Sequence, residues 1–158
     1  MANADGRARR RISLPLSALA ACLSIAALVV AVLGRDRGDG PSFRPMAVTD
    51  SMTDAQAYEA ANTTVRAWVR ERNARHLANL EALTCPDNVG TVTAEVNAVK
   101  NHEPVGKDMH VVSTGAFDRH DSLWTLNTHF INDVGVQFVL GVRHGELLVC
   151  RIAAAPVP

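Results

Sequence analysis

Residues 123–142, LWTLNTHFINDVGVQFVLGV, decide the fold of this chain. In the first half, Trp124, Leu126 and Phe130 alternate with polar residues, and in the second half apolar residues recur at every second position. A period of two is typical of a strand with one buried face, and the Asn-Asp dipeptide between the halves is typical of a tight turn. The stretch therefore predicts two antiparallel strands joined as a hairpin.

The same period continues on both sides of this hairpin. Turn-forming segments rich in Asp, His, Arg and Gly divide the second half of the chain into four predicted strands at residues 109–117, 123–131, 134–142 and 146–152. Consecutive strands with short connections form an antiparallel meander, and their alternation predicts one buried face.

Helical periodicity precedes the strands. Apolar residues recur at helical spacing from Tyr58 to Val69, and Thr53 can cap the first turn of that helix. Arg66 and Arg70 begin a basic cluster that continues through Arg72 and Arg75, and the interleaved acid favours a solvated, salt-bridged face.

A shorter helix with leucines at positions 77, 80 and 83 follows and ends near Cys85. Residues 88–101 have helical spacing of valines but a high Val and Thr content, and we favour a helix there. The order predicts an α+β fold over residues 53–158, with two to three helices packed on a curved, four-stranded antiparallel sheet.

A separate apolar run lies near the start of the chain. Residues 14–33 contain no charge and are long enough to cross a bilayer, and four arginines precede them. We predict a transmembrane helix at residues 12–33, with the basic residues 1–11 in the cytoplasm and the rest of the chain outside. Residues 34–52 combine Gly, Pro and alternating charges and predict a flexible linker.

Two alternatives to a retained anchor remain open. The run also has the basic and apolar regions of a cleaved signal peptide. In addition, the sequence Leu-Ala-Ala-Cys ending at Cys22 matches the lipobox of bacterial lipoproteins, which would make Cys22 the lipidated residue.

The charge distribution excludes one class of partner. Formal charge is zero overall, and residues 41–158 hold ten Lys or Arg against thirteen Asp or Glu. Neutralising the phosphates of a nucleic acid requires a basic surplus, so we expect no nucleic-acid partner.

Two segments carry a resemblance to a known family. ARHLANLEALTCP, residues 74–86, and GELLVCRI, residues 145–152, resemble a helix and the last strand of the NTF2-like (SnoaL-like, cystatin-like cone) superfamily. More narrowly, they resemble small membrane-anchored or secreted actinobacterial members, several of which are associated with Mce transport systems. The resemblance covers residues 53–152 and implies a cone-shaped domain, a role beside a cell-envelope transporter, and a sheet that could pair in a homodimer.

The three cysteines fall in two different predicted regions of the chain. Cys22 falls in the predicted anchor, and Cys85 and Cys150 fall in the part predicted to lie outside the membrane, where disulfides persist. A Cys85–Cys150 disulfide is the favoured interpretation, with two buried thiols as the alternative.

No catalytic or metal-binding motif is visible. The six histidines lack the spacing of a zinc site, and we expect no metal and no cofactor. We propose a candidate pocket at Trp124, Asn127, His129, Phe130 and Phe138. In NTF2-like enzymes such a cavity holds a histidine with an acid, but the acids near His129 in the sequence fall in predicted turns.

These observations favour a non-enzymatic, membrane-anchored extracytoplasmic domain that binds a protein partner or an apolar ligand. The alternative is a SnoaL-like isomerase, dehydratase or cyclase with His129 in its pocket. Lipoprotein or secreted forms of the same domain remain further alternatives.

Overall fold

A computed structural model describes residues 41–131 and 134–155 of the chain. The predicted anchor at residues 12–33 and the candidate lipidation site Cys22 lie outside these described residues and stay predictions. Within the described ranges, no helix has both the length and the apolar content needed to cross a membrane.

Three helices precede most of the sheet, as predicted. They are α1 at Asp54–Ala74, α2 at Leu77–Ala82 and α3 at Thr91–Lys100. Thr53 caps α1: its hydroxyl accepts the Gln56 backbone N–H, and the Gln56 side chain accepts the Thr53 backbone N–H. This reciprocal arrangement satisfies two backbone donors and fixes where α1 begins.

The sheet has five strands, one more than the sequence predicts. The strands are β1 at Met46–Ala47, β2 at Val111–His120, β3 at Leu123–Phe130, β4 at Gly135–Arg143 and β5 at Glu146–Ala154. Their order in the sheet is β1-β5-β4-β3-β2, and all neighbours are antiparallel. Irregular pairing within β2 and between β4 and β5 contributes to the curvature of the sheet, because bulges bend strands. The α+β architecture with a curved antiparallel sheet is therefore confirmed.

The fifth strand comes from a segment interpreted as flexible linker. Met46 pairs with Leu147, and the Val48 backbone N–H donates to the Gly145 carbonyl at 2.8 Å. Val48 is buried, and the Ser42 backbone N–H donates to the Asn79 side chain at 2.8 Å. Residues 42–48, which we call the amino-terminal segment, thus pack on the domain rather than extending away from it.

One hydrophobic core lies between α1 and the inner face of the sheet. Trp124, Leu126 and Phe130 face this core, as their alternation predicts. The ring centres of Trp68 on α1 and Phe138 on β4 are 6.0 Å apart in an edge-to-face contact. The described residues all belong to one compact unit, residues 39–158, and we infer from its self-contained core that this unit folds alone.

Candidate functional site

A cavity of about 400 Å³ opens at one end of the sheet. In an antiparallel meander the end of β3, the start of β4 and the end of β5 meet at the same end of the sheet. There they face the last turn of α1, the helix α3, and residues 106–110, and together these elements enclose the cavity. Its volume lies within the range of small-molecule sites.

Most of the cavity wall is apolar. Ile131 and Val134 form the rim and are 72% and 47% exposed, whereas Phe130 is buried deeper in the wall. The larger apolar lining side chains are Met109, Phe130, Ile131, Val134, Val136 and Ile152. Such a surface favours the apolar part of a ligand, because binding removes both surfaces from water.

Arg72 supplies the buried charge of the cavity. Its side chain is only 1% exposed, and its Nε donates to Glu95 Oε2 on α3 at 2.9 Å. Its Nη1 donates to Asn73 Oδ1 at 3.0 Å and to the Lys107 backbone carbonyl at 2.9 Å. A buried guanidinium requires such partners, and here they link α1, α3 and the segment before β2.

Asn73 positions the apolar wall beside this ion pair. Its Nδ2 donates to the Met109 carbonyl at 2.8 Å, and its Oδ1 accepts the Met109 backbone N–H at 3.2 Å. The Ile131 backbone N–H also donates to the His110 carbonyl at 3.1 Å. These bonds hold Met109 against α1 and fasten the segment before β2 to the end of β3.

The predicted pocket residues do not form one site. Phe130 lines the cavity, while Trp124 and Phe138 are buried on the same face of the sheet in the core. Asn127 and His129 lie on the opposite face, where Asn127 accepts a hydrogen bond from Gln137 and the exposed His129 ring lies over Gly135. The grouping was wrong because alternation assigns these two polar residues to the outer face of the sheet, and the cavity is on the inner face.

The buried position of Arg72 differs from the solvated face expected for the basic cluster. A signal was present in the sequence, since Val65, Trp68 and Arg72 follow one another at helical spacing on one stripe. Nothing in the sequence indicated that Glu95 or Met109 would line the cavity. Only the folded chain brings their side chains to the cavity.

Cys85 and Cys150 are joined by a disulfide, as predicted. Their Cα atoms are 4.7 Å apart, and their positions in the chain differ by 65. The bond connects the segment after α2 to β5, next to a backbone hydrogen bond of 2.9 Å from the Cys85 N–H to the Val149 carbonyl. Neither cysteine lines the cavity, so the disulfide stabilises the fold rather than taking part in the site.

Comparisons with known proteins give one structural similarity. No family model matches the chain, and no curated protein matches it. The chain is similar to a crystal structure from Xanthomonas campestris described as a calcium/calmodulin dependent protein kinase II association domain. The two share 14% sequence identity with a TM-score of 0.40, over 73% of this chain and 96% of the other.

Proposed function

We propose that residues 41–155 form an NTF2-like, non-enzymatic binding domain whose cavity takes a small apolar ligand. The observation that carries this proposal is the apolar wall of the 400 Å³ cavity, which is open to solvent and whose lining includes the exposed side chains of Ile131 and Val134. Large apolar side chains at the mouth of a concave site are typical of ligand entry.

The position of the domain in the cell is part of the same proposal. The apolar run at residues 12–33 would hold the domain at the outer surface of the membrane, where a disulfide such as Cys85–Cys150 persists. The resemblance to Mce-associated proteins suggests an accessory role beside a cell-envelope transport system. In that role the domain would bind an apolar ligand or a protein partner.

The alternative function, catalysis by His129, has no supporting contact among the residues that the structure describes. His129 is exposed on the face of the sheet opposite to the cavity. A general base must lie within hydrogen-bond reach of a substrate bound in the site. We therefore favour binding over catalysis at His129.

The rim of the cavity gives a direct test. Titrating the apolar dye Nile red into residues 39–158 should give saturable fluorescence, and Val134→Asp should weaken binding about fivefold because a charge at the rim disfavours an apolar ligand. Val112→Asp is the matched control, since Val112 is 62% exposed and does not line the cavity. Equal effects of the two substitutions, or no saturable binding, would contradict the proposal.

A further inference from the structure

A second groove, more open than the cavity, lies between α1 and the start of β2. It measures about 530 Å³ and shares only Met109 and His110 with the cavity. The charged residues of its lining are Arg66 and Arg70, and no acidic side chain among the described residues lines it. A concave surface with charges of one sign concentrates ions of the opposite sign, so this groove favours an anion.

Arg66 and Arg70 differ in how far their charges are already balanced. Arg66 Nε donates to Asn62 Oδ1 at 2.9 Å and Nη1 donates to the Val111 carbonyl at 3.3 Å, and both acceptors are neutral. No carboxylate of the described residues forms an ion pair with Arg66. Arg70 pairs with Glu71 at 2.7 Å, but its side chain remains 62% exposed. The groove therefore retains a net positive charge that solvent can reach.

The chain enters the domain beside this groove. The guanidinium of Arg70 lies over the Phe43 ring, 5.8 Å from its centre, and the Ser42 backbone N–H donates to Asn79 Oδ1. These contacts fix the start of the amino-terminal segment next to Arg70. The groove is therefore on the side of the domain where the preceding chain arrives.

The tether between this entry point and the predicted anchor is short. The sequence predicts a linker at residues 34–52, but the amino-terminal segment packs on the domain, which leaves only residues 34–41. Eight extended residues reach at most about 28 Å. With residues 12–33 in the membrane, as proposed above, the tether keeps the groove close to the lipid headgroups.

We propose that this groove binds the phosphate headgroups of anionic lipids in the membrane that holds the chain. The inference rests on the membrane attachment in the proposed function and identifies the surface that faces the membrane. Guanidinium groups donate in pairs to phosphate oxygens, so Arg66 and Arg70 suit this role. Residues 41–158 hold ten Lys or Arg against thirteen Asp or Glu, so their net charge would repel such a membrane and any attraction comes from a local basic surface.

Co-sedimentation of residues 39–158 with lipid vesicles tests the inference. The domain should bind vesicles with about one-third phosphatidylglycerol in phosphatidylcholine, should bind them less as salt rises, and should not bind phosphatidylcholine alone. Arg66→Gln with Arg70→Gln should lower the affinity at least about tenfold, because each basic residue near an anionic surface contributes about fivefold. Arg66→Gln alone, which leaves no carboxylate without its partner, should lower it about fivefold.

Arg119→Gln with Arg151→Gln is the charge-matched control, because neither residue lines the groove. This control should keep the affinity for anionic vesicles. Near-ultraviolet circular dichroism checks that every variant keeps its packing. The affinity for Nile red should be the same in all of them, since Arg66 and Arg70 do not line the cavity.

The outcomes separate the inference from the proposed function. Equal losses in the two double variants, or no binding to anionic vesicles, would overturn the headgroup inference, while apolar binding in the cavity is measured separately by the dye. Residues 39–158 lack the predicted anchor, so the vesicle experiment does not depend on it. Retention of the full chain in membranes tests the attachment independently.

Discussion

Glu71 lies buried at the end of α1, where its carboxylate is bonded by three side chains. Arg70 and Asn79 donate to it at 2.7 and 2.9 Å, and His76 Nδ1 lies 3.0 Å from Oε2. Burial alone would raise the pKa of Glu71, but the hydrogen bonds from Asn79, His76 and Arg70, with the charge of Arg70, together lower it below the ordinary value of 4.5. The ionised carboxylate therefore stabilises the junction of α1 and α2.

This pKa shift predicts a pH-dependent effect of Glu71→Gln. Because the folded-state pKa is below the unfolded one, the stabilisation is present above about pH 4.5 and is lost as pH falls through the folded-state value. We expect Glu71→Gln to lower the free energy of unfolding by about 1–2 kcal/mol at pH 7, and by less at pH 3. Urea unfolding at both pH values measures this. Exposed Glu59→Gln is the control, and a difference independent of pH would argue against the network.

Gly141 is a second residue at which the structure predicts a specific cost. A Cβ atom at this position would lie 2.7 Å from the Cys150 sulfur, which is closer than real contacts allow. We expect Gly141→Ala to destabilise the domain by about 1–3 kcal/mol in urea unfolding. Gly115→Ala controls for the loss of glycine, since nothing lies within 4 Å of its Cβ position. Equal stabilities of the two variants would show that the disulfide does not pack over Gly141.

Single residues also show how far the sequence can predict the structure. Periodicity could have assigned Arg72 to the buried stripe of α1, but it could not identify Glu95 as the partner, because the two are 23 residues apart and on different helices. Asn127 and His129 show the converse error. Their polar character suggested a site, whereas their position in β3 assigns them to the outer face.

At the scale of elements, the strands were predictable because each has one buried face. The predicted strand at residues 123–131 differs from β3, Leu123–Phe130, by one residue, and the other bounds differ by up to three. The strand β1 was not predictable, since two residues cannot display a period of two. Its pairing with β5 depends on contacts far apart in the chain.

The amino-terminal segment provides the test at this scale. Val48 is buried and Met46 is 36% exposed, although they are two residues apart. We expect Val48→Ala to lower the free energy of unfolding of residues 39–158 by about 2 kcal/mol, and Met46→Ala to change it little. Thermal and urea unfolding measure the difference. If neither substitution has an effect, residues 42–48 behave as the flexible linker that their composition suggests.

At the scale of the whole molecule, the sequence predicts attachment to a membrane, and only an experiment on the full chain can test this prediction. After alkaline washing of membranes, the full chain should remain in the membrane fraction, and residues 39–158 expressed alone should not. In intact cells, an added protease should reach the domain, because the arginines before the run favour a cytoplasmic N-terminus. An intact mass beginning near residue 34, or at an acylated Cys22, would instead indicate cleavage or lipidation.

The measurement that tests the central claim most directly is nuclear magnetic resonance of isotopically labelled residues 39–158 during titration with Nile red. Binding in the cavity predicts the largest shift changes at Met109, Phe130, Val136 and Ile152, together with the side-chain signals of Arg72. Changes centred on Asn127 and His129 would move the site to the outer face of the sheet. Changes at neither face would contradict ligand binding by this domain.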